Sequence, residues 1–166
     1  MKEKKQSWLP SVTQSLTEPV TMILRSYRQL TGQALLPDGQ VTGEEVKNLY
    51  HASFVVLAHD ASVDPRFIYA NLAAQRLFGM PWNELVGMPS RHSAEPLRRE
   101  ERQRLLERVS QEGFIADYSG VRIAKSGRRF IIRHAVVWNL MDEQGCFHGQ
   151  AATFAIPDKD DWLPDR

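Results

Sequence analysis

The chain has 166 residues, of which 42% are hydrophobic and 25% charged, and this predicts one globular domain with an extension. A core of this size needs neither a structural metal nor a disulfide to be stable. The 21 basic and 20 acidic residues give a formal net charge of +1, so no general attraction to nucleic acid or to an anionic membrane is expected.

Two helices are predicted near the N-terminus, after a polar arm over residues 1–16. Thr17 is a good N-cap for the first helix, whose apolar residues recur with the spacing of one helical face. Thr42 and Glu45 form a capping-box pattern that predicts the start of a second, shorter helix. These two helices make up an N-terminal extension over residues 17–52.

The middle of the chain alternates short strands with helices. Two apolar stretches, 54–58 and 67–70, are predicted strands. Asn71 is a predicted N-cap for a short helix that ends at a glycine. A longer helix is predicted over 97–111, and its mixed charged run at 98–104 is expected to be a solvated helix face.

The last third of the chain predicts a three-stranded antiparallel meander. Strands at 114–123, 129–140 and 147–156 are separated by tight turns that place glycine where a positive φ is needed. The element order is therefore two helices followed by β-β-α-α-α-β-β-β. This order predicts an α+β fold in which a five-stranded antiparallel sheet packs on the short helices, with a polar tail at 157–166.

The single cysteine, Cys146, excludes an intramolecular disulfide. A chain without disulfides fits a reducing compartment. No apolar run follows the basic first residues, so neither a signal peptide nor a transmembrane span is predicted. We therefore expect a cytoplasmic protein.

This order of elements is that of a PAS domain, and residues 67–79 resemble the PAS transition from strand to helix. Longer phrases resemble the MEKHLA domain, a PAS-like family whose bacterial members are small stand-alone proteins. These phrases lie at 89–96, 99–102, 117–123, 127–130, 137–140 and 149–154. The resemblance implies a PAS-like domain over residues 53–156 and a sensory or regulatory role, without specifying a ligand or a reaction.

His134 is the most unusual residue of the predicted meander. Strict alternation along the second strand places it among apolar residues, on the face that should contact the core. A buried imidazole needs a hydrogen-bond partner, because its desolvation otherwise costs on the order of 1–3 kcal/mol. Two interpretations stay open: a polar contact in a ligand cavity, or a core histidine whose hydrogen bonds are satisfied by neighbouring groups.

Six further residues complete the candidate ligand cavity: Phe78, Arg91, Tyr118, Arg122, Trp138 and Gln150. The two arginines can hold a carboxylate or phosphate, or they can form structural ion pairs, with Glu95 or Glu101 as a candidate partner. The aromatic residues can line a cavity or fill an ordinary core. Gln150 has small neighbours, which allow close approach of a ligand or of the long helix.

These observations predict a non-catalytic sensory or regulatory module that binds a small molecule or a protein partner. A small α+β enzyme that uses His134 with Asp117 on the adjacent strand is the alternative. A structural dimerisation module with a filled core is a third possibility. The apolar stripe of the first helix could cover the outer face of the sheet within one chain or across a homodimer.

The cofactor stays open, and the common ones are not favoured. Flavin-binding light sensors of this fold need a cysteine in the short middle helices, whereas Cys146 lies near the last strand. Haem-binding versions commonly use a histidine on the long helix, and residues 97–111 contain none, although His92 just precedes them. No histidine and cysteine spacing typical of a metal site is present.

Overall fold

The computed structural model describes residues 14–37, 43–95 and 98–165. The helices are α1 (Gln14–Thr31), α2 (Glu45–Tyr50), α3 (Leu72–Phe78), α4 (Trp82–Leu85) and α5 (Arg99–Glu112). The strands are β1 (Phe54–Asp60), β2 (Phe67–Ala70), β3 (Phe114–Ile123), β4 (Arg129–Met141) and β5 (Phe147–Ala155). All five strands form one antiparallel sheet in the order β2-β1-β5-β4-β3, which confirms the predicted fold.

Asn71 joins the start of the sheet to the first of the middle helices. Its Oδ1 accepts hydrogen bonds from the Ala74 N–H, at 3.1 Å, and from the Val56 N–H, at 3.0 Å. Its Nδ2 donates to the carbonyls of Leu49 and Phe54. The predicted helix cap is therefore confirmed, and the same side chain also ties α2 to β1.

Helix α1 covers one face of the sheet of its own chain. Its apolar stripe, which includes Val20 and Ile23, packs against residues of β1, β4 and β5. The Ser26 hydroxyl donates to the Met141 carbonyl, at 3.1 Å, and accepts from the Met141 N–H, at 2.9 Å. Because the stripe is buried within one chain, a homodimer through this sheet face would require α1 to leave it.

Two β-bulges interrupt the pairing of β3 with β4. The extra residues are Asp117 on β3 and His134 on β4, both with a left-handed backbone at φ of 63° and 51°. An extra residue shifts the alternation of side chains by one. Phe130 and Ile132 therefore share a buried cluster with Ala135, although strict alternation predicts opposite faces.

The prediction that His134 faces the core is wrong, because this residue is the bulge itself. Its side chain is 81% exposed to solvent. Beyond the bulge, Val136, Trp138 and Leu140 pack on the α1 side of the sheet. Ala135 and Val137 pack on the opposite side, beneath the middle helices.

The C-terminal residues fold back onto β4, so the prediction of a polar tail is wrong for part of this segment. The Trp162 ring lies 5.1 Å from the Phe130 ring, between centroids. The Arg128 guanidinium stacks over the same indole at 4.5 Å, and the Leu163 N–H donates to the Arg129 carbonyl. An apolar tryptophan in a polar stretch was the sequence signal for this packing.

Several predicted boundaries move by a few residues. Helix α1 begins at Gln14 rather than near Thr17, and α5 spans Arg99–Glu112. The predicted cap at Thr42 and most of the polar arm lie outside the described residues. No helix in the described ranges is long and apolar enough to cross a membrane.

Candidate functional site

A cavity of about 60 Å³ lies between α5 and the sheet face opposite α1. Its apolar walls come from the sheet, from α3 and from α5. They are formed by Leu57, Phe67, Phe78, Leu105, Leu106, Ile132, Val137, Ala151, Ala152 and Phe154. Ala58 completes this apolar lining, and the polar lining residues are His59, Ser93, Arg102, Tyr118, Arg122 and Gln150.

Four of the seven predicted site residues line this cavity: Phe78, Tyr118, Arg122 and Gln150. Phe78 ends α3 and packs edge-on against Phe130, with ring centroids 5.4 Å apart. Arg122 donates to the Val121 carbonyl at 2.9 Å and lies against the Tyr118 ring, 5.7 Å from its centroid. These four side chains therefore lie around the cavity between the sheet and the helices.

Gln150 ties α5 to the centre of the sheet. Its Nε2 donates to the Leu106 carbonyl at 2.9 Å and to the Ser110 hydroxyl at 3.1 Å, both on α5. It also donates to Asn139 Oδ1 at 3.2 Å. The side chain thus contacts both the long helix and the cavity.

His59 is a buried cavity residue that the sequence interpretation missed. It follows Val55 and Leu57 on the inward face of β1, and this alternation was the available signal. Gly149 of the paired strand allows close backbone approach here, since a Cβ at that position would lie 1.9 Å from the His59 carbonyl oxygen. Burial lowers the pKa of His59 below its ordinary value.

The hydrogen bonds of His59 fix its tautomer. Nδ1 lies 2.8 Å from the Asp60 carbonyl oxygen, which can only accept, so Nδ1 carries the proton. Nε2 is then an acceptor, and it is buried without a hydrogen-bond partner of normal geometry. The Gln150 side chain lies near enough to raise the pKa of the imidazole, but this effect is smaller than the lowering by burial.

Arg102 is the second missed residue, because the charged run at 98–104 was interpreted as solvated. It is only 6% exposed, and its Nη2 donates to the Ser90 hydroxyl. The helical spacing of Arg102, Leu105 and Val109, all buried, places the arginine on the inner face of α5. Burial, with a smaller contribution from the Arg122 charge, lowers the pKa of Arg102 to about 10.

Three predicted site residues lie elsewhere. Trp138 is on the opposite side of the sheet, where its ring packs edge-on against Tyr27 with centroids 4.9 Å apart. Arg91 forms an exposed ion pair with Asp64, from Nε to Oδ1 at 3.1 Å. Arg91 therefore forms an ion pair, as the second interpretation of this residue predicted. Its partner is Asp64, whereas the sequence analysis considered Glu95 and Glu101.

His134 is the third predicted residue outside the cavity. Its Nδ1 lies 2.5 Å from Asp117 Oδ1, so the proposed catalytic pair does form a hydrogen bond. The two side chains are 81% and 78% exposed, respectively. The pair therefore lies in solvent at the paired bulges, and neither residue lines the cavity.

The cavity is small for the large cofactors of PAS-like folds. Pockets for drug-sized ligands have volumes of roughly 300–1,000 Å³, compared with about 60 Å³ here. Cys146 is exposed beside the β4–β5 turn and does not line the cavity. A flavin or haem would have to displace several buried side chains, and no group of metal-binding side chains occurs in the described ranges.

Solved structures with the same fold are PAS and light-oxygen-voltage domains. The PAS domain of a Colwellia psychrerythraea protein is 15% identical, with a TM-score of 0.61, over 71% of this chain and 98% of that one. A light-oxygen-voltage domain studied with a flavin analogue is 20% identical, with a TM-score of 0.54, over 72% and 88%. The light-state dimer of the fungal photoreceptor Vivid is 15% identical, with a TM-score of 0.54, over 80% and 90%.

The strand order, the middle helices and the cavity beneath α5 define a PAS-like domain. The family model of the MEKHLA domain matches residues 17–156, and the chain belongs to this family. The match begins within α1, so it includes both N-terminal helices. No curated protein sequence matches the chain at a significant level.

Proposed function

We propose that this MEKHLA-domain chain is a non-catalytic regulatory module that binds a small molecule between α5 and the sheet. The observation that carries the proposal is the cavity itself, where three buried polar side chains meet within apolar walls: His59, Arg102 and Gln150. A few polar groups in an apolar concavity are typical of ligand sites. A filled core would bury such groups only with their hydrogen bonds satisfied.

An enzymatic role is less well supported by the site. No carboxylate is among the described cavity-lining residues, and the Nδ1 proton of His59 is engaged by the Asp60 carbonyl. The alternative pair, His134 with Asp117, is exposed, and neither residue lines this cavity. General acid–base catalysis requires the acid or base within hydrogen-bond reach of a bound substrate.

The proposed signal is a change in the position or order of α5. Gln150 and Asn139 both hydrogen-bond to α5, at the Leu106 carbonyl and at Ser110. A ligand that binds one arrangement of these contacts more tightly shifts the population toward it. The output then passes to another protein, or to a second copy of the chain through the outer side of α1, in the cytoplasm.

Native mass spectrometry of the purified chain tests the proposal together with a variant that fills the cavity. Ala152→Leu places a larger side chain in the cavity, and Ala155→Leu is the control, because Ala155 is exposed on the same strand. We expect a bound small molecule in the wild type and in Ala155→Leu, and none in Ala152→Leu. Bare chain in all three would contradict the proposal and favour a structural module.

A further inference from the structure

The charged groups of the cavity are all basic. Arg102 and Arg122 line it, and no aspartate or glutamate is among its described lining residues. Within the described ranges, neither arginine has a carboxylate within ion-pair distance, and Arg102 makes a single hydrogen bond, to the Ser90 hydroxyl. A guanidinium has five N–H donors, so most donors of this arginine have no acceptor among the described residues.

A buried cation without a carboxylate in direct contact is unusual. Among the described carboxylates, that of Asp64 acts on Arg102 electrostatically but lies beyond ion-pair distance. Charged side chains are almost never buried unless they are paired, because the lost hydration must be replaced. The positive charge of Arg122 adds repulsion, and the lowered pKa of Arg102 reflects both burial and this neighbour. An anion placed between the two guanidinium groups would relieve both effects, and a planar carboxylate matches the geometry of arginine.

His59 adds a requirement for a hydrogen-bond donor. Its Nε2 is an acceptor because Nδ1 donates to the Asp60 carbonyl, and Nε2 has no partner of normal geometry. The side chain is 9% exposed and lines the same cavity. A ligand hydroxyl group would satisfy this nitrogen, whereas a ligand with acceptors only would leave it unpaired.

The volume of the cavity limits the size of the ligand. One water molecule needs roughly 10–15 Å³ on the same scale, so a cavity of about 60 Å³ accommodates about four to six non-hydrogen atoms. The apolar walls, with Leu57, Phe78 and Ile132, favour an organic molecule over a fully hydrated inorganic anion.

We propose that the cavity binds a short 2-hydroxy carboxylate of the size of lactate, with its carboxylate at Arg102 and Arg122 and its hydroxyl donating to His59 Nε2. This inference rests on the proposed ligand-binding function and specifies its ligand class. The carboxylate, the hydroxyl and the short carbon chain each correspond to one feature of the cavity.

The test is a chemical-shift titration of the ¹⁵N-labelled full chain with four probes. Lactate has all three features, propionate lacks the hydroxyl, lactamide lacks the charge, and inorganic phosphate lacks the carbon chain. We expect lactate to shift signals of the residues that line the cavity. Propionate should bind at least about fivefold more weakly, because His59 Nε2 stays unpaired, and lactamide at least about tenfold more weakly.

Variants of the two arginines test the same assignment from the protein side. Arg122→Gln should weaken lactate binding at least about tenfold. Arg102→Gln should also weaken lactate binding at least about tenfold. Arg102 is buried, so this variant could fail to fold; Arg122 is only half-buried, and Arg122→Gln then tests the inference alone. Arg108→Gln is the matched control, because Arg108 lies on the exposed face of α5 in an ion pair with Glu112, and its affinity should stay within about twofold of wild type.

Three results would overturn the inference. They are an absence of lactate binding, equal lactate affinity for wild type and Arg122→Gln, and tighter binding of phosphate than of lactate. If lactamide or another neutral probe bound in the cavity and Ala152→Leu abolished that binding, the ligand class would be wrong and the proposed function would stand. If no probe bound and native mass spectra showed only bare chain, both proposals would fail.

Discussion

Asn71→Ala should be among the most destabilising single substitutions in the chain, because one side chain makes four hydrogen bonds, three of them buried. Asn71 is fully buried. Its Oδ1 accepts hydrogen bonds from the N–H groups of Val56 and Ala74. Its Nδ2 donates to the carbonyls of Leu49 and Phe54. Removing the amide therefore affects β1, α2 and α3 together.

The size of the effect follows from the groups left without a partner. The Val56 N–H points toward the β2 side of β1, beyond the last residue of β2, and the Ala74 N–H lies in the first turn of α3, where no intrahelical acceptor exists. Each buried N–H left unpaired costs about 1–3 kcal/mol. The Leu49 carbonyl also accepts from the Ala52 N–H, so the loss of a donor there matters less. The expected total is about 2–6 kcal/mol.

Urea denaturation followed by circular dichroism measures this loss. Asn71→Asp keeps an oxygen acceptor for both N–H groups, but it removes the two donor bonds and buries a carboxyl group, so it should also be destabilised. Asn83→Ala, at an exposed position of α4, is the control and should change the free energy of unfolding by less than about 0.5 kcal/mol. A decrease in the free energy of unfolding of less than about 1 kcal/mol for Asn71→Ala would contradict the view that Asn71 holds β1, α2 and α3 together.

Three further predictions concern α1, His59 and His134. Ile23→Ala removes a fully buried side chain of α1 and should lower the free energy of unfolding by about 2–5 kcal/mol. The control Val63→Ala, at an exposed position, should change this free energy by less than about 0.5 kcal/mol. Similar values for the two variants would mean that α1 is not packed on the sheet. Because burial lowers the pKa of His59, the unfolded chain binds a proton at a pH where the folded chain does not. The stability of the wild type relative to His59→Gln should therefore fall as the pH drops below 6.5 in parallel denaturation series, and a difference independent of pH would contradict this. His134→Asn keeps a residue that tolerates the left-handed backbone and should leave lactate affinity within about twofold of wild type, whereas a tenfold loss would restore His134 as a ligand contact.

Much of the fold could be predicted because local signals agreed with the global arrangement. The cap at Asn71, the glycine turns of the meander and the helical spacing in α1 each specify their element without distant contacts. The resemblance to the MEKHLA family added the PAS-like fold of the domain. Local patterns could not show whether α1 covers its own sheet or a partner, because both arrangements bury the same stripe.

The candidate site was predicted only in part, because two bulges alter the register. An alternating pattern cannot show that His134 is an extra residue, and the error moves every later side chain of β4 to the other face. This is why Trp138 was assigned to the cavity and lies beneath α1 instead. Arg102 was missed because a charged run on a helix is usually solvated, and its burial depends on the Ser90 hydroxyl supplied by another segment.

A crystal structure of the chain grown in the presence of lactate tests the central claim most directly. We predict non-water density in the cavity, with a carboxylate at hydrogen-bond distance from the Arg102 guanidinium and a hydroxyl at hydrogen-bond distance from His59 Nε2. The Gln150 contacts to α5 should be retained around it. A cavity that holds only ordered water, or one closed by Arg102 pairing with a carboxylate of the chain itself, would contradict a ligand site between α5 and the sheet.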